Sequence, residues 1–364
     1  MIIPQSDILT TSRLGRIFRS TSATYKFFWF ISLMQIHAKR KDLKVSVWDL
    51  VIRMVANAWY PIHYFRLSFG KSDSLYDIVK ALQRLTGIPI DANNDVVIAG
   101  LTSRLNDKQI KEILNTLTLN VPYRFLSPWI KYLSDEDVIA RSQRYENGCL
   151  YSLYKGNGDF YLLLNPIWDA YLHTHYNILM DFAYWNLTLF LQMRNPNVPS
   201  IPNKLIRPIK RSSLKKQHDY WDMVMDLNRS IHCIYTNKEL HRGEYDLDHF
   251  IPWSFVAHDL LWNLIPSDGS INSSKNNNLP DLNIYLPKLA TLQHHSLQLV
   301  LKHGKEPEVL EDFVSFKYSA RELADMDDVR FYELYKRTIT PIYQIALNMG
   351  FETWKHKSLW NQRS

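Results

Sequence analysis

The sequence predicts an α+β protein: a mainly helical N-terminal domain carrying one β-hairpin, then a small strand–strand–helix unit, then helices towards the C-terminus. Three observations predict it. Apolar residues recur at helical spacing through most of residues 22–130. The run CLYSLYKGNGDFYLLL holds two alternating aromatic or apolar stretches around Gly156-Asn157-Gly158, the pattern of a hairpin. The stretch YDLDHFIPWSFVAHDLLWNLIPSDGSINSSKNNNLP, Tyr245 to Pro280, reads as strand, loop, strand, turn and short helix.

Taken in order, ATYKFFWFISLMQI is apolar nearly all round and suits a buried helix. SVWDLVIRMVANAWY places Trp48, Val51, Ile52, Val55 and Trp59 at helical spacing behind a Ser46 cap, with Asp49 three residues later; Pro61 is expected to end this helix. SDSLYDIVKALQRLTG and NDKQIKEILNTLTLNVP are two further amphipathic helices, the first closed by Gly87, and IPIDANNDVVIAG between them is turn-rich and ambiguous. After the hairpin, a long aromatic helix or helix pair runs from Pro166 to Met193. The proline-rich RNPNVPSIPNKLIRPIKR then reads as a linker. Beyond the motif come KLATLQHHSLQLVLKHG, EVLEDFVSF and RELADMDDVRFYELYKRTITPIYQIALNMG, helical stretches with Pro341 expected as a break and Gly350 as a stop. The large tryptophans fall at helical spacing and are assigned to the core.

Composition narrows the class. With 364 residues, 46% hydrophobic and 22% charged, the chain has room for two or three domains. Its longest apolar run, Phe27 to Met34, is far short of the roughly 20 residues that cross a bilayer. The N-terminus lacks the order of a secretory signal, so a cytoplasmic location without membrane contact is expected. Two cysteines, Cys149 and Cys233, have no partner at metal-ligand spacing, and no structural zinc is expected. The formal net charge is +7. Residues 182–218 hold Arg194, Lys204, Arg207, Lys210, Arg211, Lys215 and Lys216 without an acid, a strip suited to phosphates.

The motif gathers a specific chemistry. Asp248 and Asn272 offer hard oxygen donors of the kind that hold Mg²⁺ or Mn²⁺. His249, next to Asp248, is placed to take a proton from water. Metal and base together are the minimum for hydrolysing a phosphodiester. Asp246 lies two residues before Asp248 on the same strand face and reads as a solvent carboxylate. The loop length leaves the direction of His258 and Asp259 open. His173 and His175, two apart on a helix, point to different faces.

This stretch resembles the HNH, or ββα-metal, endonuclease motif in its H-N-N form, with His249, Asn263 and Asn272 in the three named places. It is most similar to the HNH domain of the RNA-guided CRISPR effector nucleases, matching from Tyr245 to Pro280 without a gap, and Cys233-Ile-Tyr-Thr resembles the lead-in of those domains. The resemblance implies Asp248 and Asn272 as metal ligands, His249 as general base, Asn263 as the residue pinning the loop behind His249, and Lys275 as a phosphate contact. Lys210, Arg211, Lys215 and Lys216 are the further nucleic-acid-binding candidates.

The resulting expectation is four segments: a helical regulatory or recognition domain (1–200), a basic linker with its following helix (201–230), an HNH nuclease core (231–285), and C-terminal helices packed on it (286–364). The sequence has no second nuclease motif and no arginine-rich bridge helix. The expected setting is therefore a standalone bacterial phage-defence or restriction-type nuclease acting on DNA, with the N-terminal domain available to a protein partner. The alternatives are an HNH-bearing subunit of a larger complex, such as a CRISPR Cascade subunit, and an RNA-cleaving nuclease.

Overall fold

A computed structural model of the chain describes residues 3–40, 42–156, 159–207, 212–228 and 230–356. Lys210 and Arg211 lie outside the described residues, as do Asn157 and Gly158 of the hairpin turn. The fold is α+β, mostly helical with small sheets. Two compact units divide the chain: residues 1–196 with 201–207, and residues 197–200 with 208–364.

In the first unit, the helix Tyr25–Lys39 is buried without interruption from Phe27 to Met34 and packs against the helix Val47–His63. Burial all round explains why its apolar pattern shows no polar face. Ser46 accepts a hydrogen bond from the Trp48 N–H and caps the second helix as expected. Pro61 does not end that helix, which runs on to His63. Proline removes only its own N–H, and two residues from the C-terminus that loss is small beside the packing of Trp59 and Ile62.

The hairpin Tyr151–Gly156 and Asp159–Leu164 gains a third antiparallel strand, Lys44–Ser46, with Val45 opposite Leu162. The ambiguous segment folds as the helix Asn94–Thr102, capped by Asn93. The aromatic stretch is a helix pair, Pro166–Thr174 and Tyr176–Arg194.

In the second unit, a single hydrophobic core runs from Tyr220 to Phe351. The helix Lys215–Leu227 contributes Tyr220, Trp221 and Val224. The long helices Leu282–Lys302 and Asp328–Asn348 pack on each other, and their Gln293 and Tyr335 reach the carbonyls of Leu264 and Trp262 at the start of the second strand of the motif hairpin, Asp246–His249 paired antiparallel with Leu264–Ser267. Pro341 does not break the second long helix, because Ile339, Tyr343 and Ala346 are buried on both sides of it and hold the axis. Between these helices EVLEDFVSF forms a 3₁₀ helix, Glu308–Phe316. Fully burying each of Trp221, Leu264, Tyr285 and Tyr335 contributes about 1.5–3 kcal/mol.

Candidate functional site

The site is built on the hairpin and the helix Gly269–Lys275, whose first turn is capped by Asp268. The hairpin register sets Asp246 opposite Ser267 and Asp248 opposite Ile265. Because side chains alternate along a strand, Asp246 and Asp248 lie on one face and Leu247 and His249 on the other. A Cβ on Gly269 would come within 3.1 Å of an Asp246 carboxylate oxygen, so the helix starts at this distance because residue 269 is glycine.

Asp248 is almost wholly buried, at 2% exposure. Its Oδ2 accepts from the Tyr235 hydroxyl at 2.7 Å and its Oδ1 accepts from Lys275 Nζ at 3.0 Å. The same ammonium donates to the His249 carbonyl at 2.8 Å. The Lys275 side chain is 1% exposed, so in place of the expected phosphate contact it forms an ion pair inside the protein. Desolvating two charges is costly, and the Tyr235 hydroxyl and His249 carbonyl offset it by satisfying further polar positions of the pair. Tyr235 in turn packs between Tyr285 and Trp354, at ring separations of 5.0 and 5.4 Å. Burial and the Asp248 carboxylate both push its phenol well above the ordinary tyrosine range, which keeps it a hydrogen-bond donor.

His249 Nε2 lies 2.8 Å from Asp259 Oδ1. Asp259 returns to the strand because Ala257 takes a left-handed conformation, φ +53°, after the turn Trp253–Val256. The Gln217 amide donates to the Asp259 carbonyl at 2.9 Å and anchors this return. Asn263, with no exposed surface, accepts from the Ile251 N–H at 2.8 Å and donates to the Ile251 carbonyl at 2.9 Å, fixing the chain two residues beyond His249. From the long helix, Gln293 donates to the carbonyls of Leu261 and Leu264, each at 3.0 Å. Asp259, Tyr235 and Gln293 are the residues that sequence reasoning missed. For Asp259 the signal was its place in the loop between the strands and for Tyr235 its place in the Cys233-Ile-Tyr-Thr lead-in; for Gln293 there was none.

The remaining sequence candidates make no hydrogen bond to Asp248 or His249 among the described residues. Asn272 is half-buried on the helix, and its side-chain amide makes no hydrogen bond among the described residues. Lys215 pairs with Asp219 and Lys216 with Glu308, both exposed. Lys238 bonds Asp268, whose carboxyl is thereby held far below the usual carboxylate range.

Hard oxygen donors are present at Asp248 and Asn272, yet their arrangement does not fit a divalent ion. Both Asp248 oxygens already accept hydrogen bonds, one from an ammonium that would repel a second cation. No three His, Cys, Asp or Glu side chains gather as a metal cradle among the described residues. A metal at Asp248 requires Lys275 to leave it.

An HNH endonuclease family model matches residues 233–281. The chain carries an HNH domain. The match spans Tyr235, Asp259 and Lys275, the side chains bonded to Asp248 and His249, whereas Trp354, which packs on Tyr235, and Gln293, which bonds the Leu261 and Leu264 carbonyls, lie beyond it. Neither the curated proteins nor the solved structures contain a match to the chain. Among the described residues no helix is long and apolar enough to cross a membrane.

Proposed function

We propose that the chain is an endonuclease hydrolysing DNA phosphodiester bonds, with His249 as general base and Asp259 holding its ring. The 2.8 Å contact between His249 Nε2 and Asp259 carries this reading. An Nε2–H donated to the carboxylate leaves the Nδ1 lone pair free, and Nδ1 has no hydrogen-bond partner among the described residues. That nitrogen takes a proton from water as the water oxygen attacks phosphorus. The bond from phosphorus to the 3′ oxygen breaks, leaving 5′-phosphate and 3′-hydroxyl ends. Asp248 and Lys275 fix the backbone of the base through the His249 carbonyl.

HNH nucleases generally bind a divalent metal; by donor type Asp248 and Asn272 would take Mg²⁺ or Mn²⁺, and only once Lys275 has left Asp248. DNA as substrate and a role in phage defence are supported by the resemblance of the motif. The test is incubation of purified protein with duplex DNA, single-stranded DNA and RNA, with Mg²⁺ and with chelator. Cleavage of DNA that His249→Ala abolishes while the protein stays folded supports the reading; cleavage of RNA alone replaces the substrate, and undiminished cleavage by His249→Ala removes the base.

A further inference from the structure

We propose that the N-terminal unit binds a phosphorylated, nucleotide-sized small molecule in a recess at the start of the helix Tyr25–Lys39. The recess is a cavity of about 530 Å³, within the range of small-molecule sites, with Lys26 and Arg124 among its lining residues. Its lining also includes hydroxyls of Ser20, Thr21, Ser72 and Ser127, and it has no Asp or Glu among the described residues.

Neither cation has a carboxylate partner among the described residues. Lys26 Nζ donates only to the Ser20 carbonyl at 3.4 Å and the Ser127 hydroxyl at 3.3 Å. The Arg124 guanidinium lies 3.4 Å from the Tyr132 ring centroid, with its N–H edge uncommitted. The nearby acids are engaged: Asp73 accepts from the Thr24 and Leu75 N–H groups, Asp135 accepts from the Tyr132 hydroxyl, and the Glu136 carboxyl is held below its ordinary range by its own N–H and the Ser134 side chain. Burial and the neighbouring Arg124 lower the Lys26 pKa, as expected of two like charges facing one recess.

Further features of the recess bear on the ligand. The fifteen-residue helix begins at the recess with no acid in its own first turn, but the Asp73 carboxylate already accepts from the N–H of its cap residue Thr24 at 2.6 Å, so the charge for a phosphoryl group comes from Lys26 and Arg124 rather than from the helix end. An ammonium supplies a point charge and a guanidinium a planar fork, which together suit a tetrahedral anion. One face of Tyr132 is taken by Arg124, and the half-buried Tyr25 adds aromatic lining for a base. A recess with one half-buried lysine differs from the exposed basic strip that follows a nucleic-acid backbone, and this decides for a small ligand.

The experiment is calorimetric titration of the full chain with ATP, inorganic phosphate, adenosine and a short DNA duplex, on wild type, Arg124→Gln and Lys26→Gln. ATP should bind, adenosine at least tenfold more weakly, and each substitution should weaken ATP tenfold or more. Arg124 is exposed, so Arg124→Gln should keep the wild-type circular dichroism and remains informative if Lys26→Gln fails to fold. The proposal is overturned if neither ATP nor phosphate binds the wild type at millimolar concentration, if ATP binding survives Arg124→Gln unchanged, or if the substitutions weaken only duplex binding.

Discussion

At the residue scale, the contact between His249 and Asp259 divides the work of the base from the work of aiming it. Asp259→Asn keeps the size of the side chain but not the charge that fixes the Nε2–H tautomer. We expect it to lower kcat roughly tenfold to hundredfold with KM little changed, and Asp259→Glu to recover part of the loss. Unaltered kcat in Asp259→Asn would show the contact to be incidental. Lys275 gives a sharper test. Lys275→Met leaves Asp248 buried without its cation, a loss of about 3–5 kcal/mol. The variant should melt below wild type in chelator, and Mn²⁺ should raise its melting temperature by more than it raises that of wild type, because a metal can take the vacated side of Asp248. Equal Mn²⁺ effects on the two proteins would mean that lysine and metal do not compete.

At the element scale, the site depends on a strand some seventy residues beyond the motif. Thr353–Trp354 pairs in parallel with Leu279–Pro280, and Trp354 packs on the ring of Tyr235, the donor to Asp248. Phe351 meets Phe255 edge to face at 5.8 Å. Ending the chain at Gly350 removes both contacts and exposes Tyr235, so the second unit should lose about 3–5 kcal/mol and its cleavage should fall with its stability. Denaturant unfolding checks this, and an unchanged midpoint would show the strand to be ornamental. The prolines teach the complementary lesson. Pro61 and Pro341 both look like breaks in the sequence, yet both sit inside helices whose flanking residues are buried. One missing N–H is outweighed by several packed side chains.

At the scale of the whole molecule, the two units make separate predictions. His63 in the first unit is buried against Trp59, and that burial lowers its pKa to about 4. The unfolded chain therefore binds the proton first, near the ordinary histidine value. Stability that is full above that value is lost as pH falls towards 4, by roughly 2–3 kcal/mol. His63→Phe should flatten this part of the acid-denaturation profile; an unchanged profile would place the acid sensitivity elsewhere. In the second unit, one chain carries one His249, and one base serves the strand before it. Supercoiled plasmid should pass through the open circle before linear product appears at low protein concentration. Direct conversion to linear plasmid at the lowest active concentration would show two sites already paired.

What the sequence determined by itself is what local rules specify. Strand alternation and the Asp268-Gly269 turn made the hairpin and helix legible, and with them the positions of Asp248, His249 and Asn272. Ser46 and Gly87 marked helix ends because capping is a matter of adjacent backbone groups. Tertiary structure alone decided what each position does. The direction of Asp259 turned on one left-handed residue, Ala257, in a loop whose length permitted many paths. Lys275, expected as a phosphate contact, is instead the buried partner of Asp248, since burial is set by which elements close over a side chain. Tyr235, Gln293 and Trp354 reach the site across separations of 13 to 119 residues in the chain, taking each against the residue it supports, and no periodicity records contacts over such distances. The spacing of a motif fixes which groups can meet; the core that encloses it fixes which of them do.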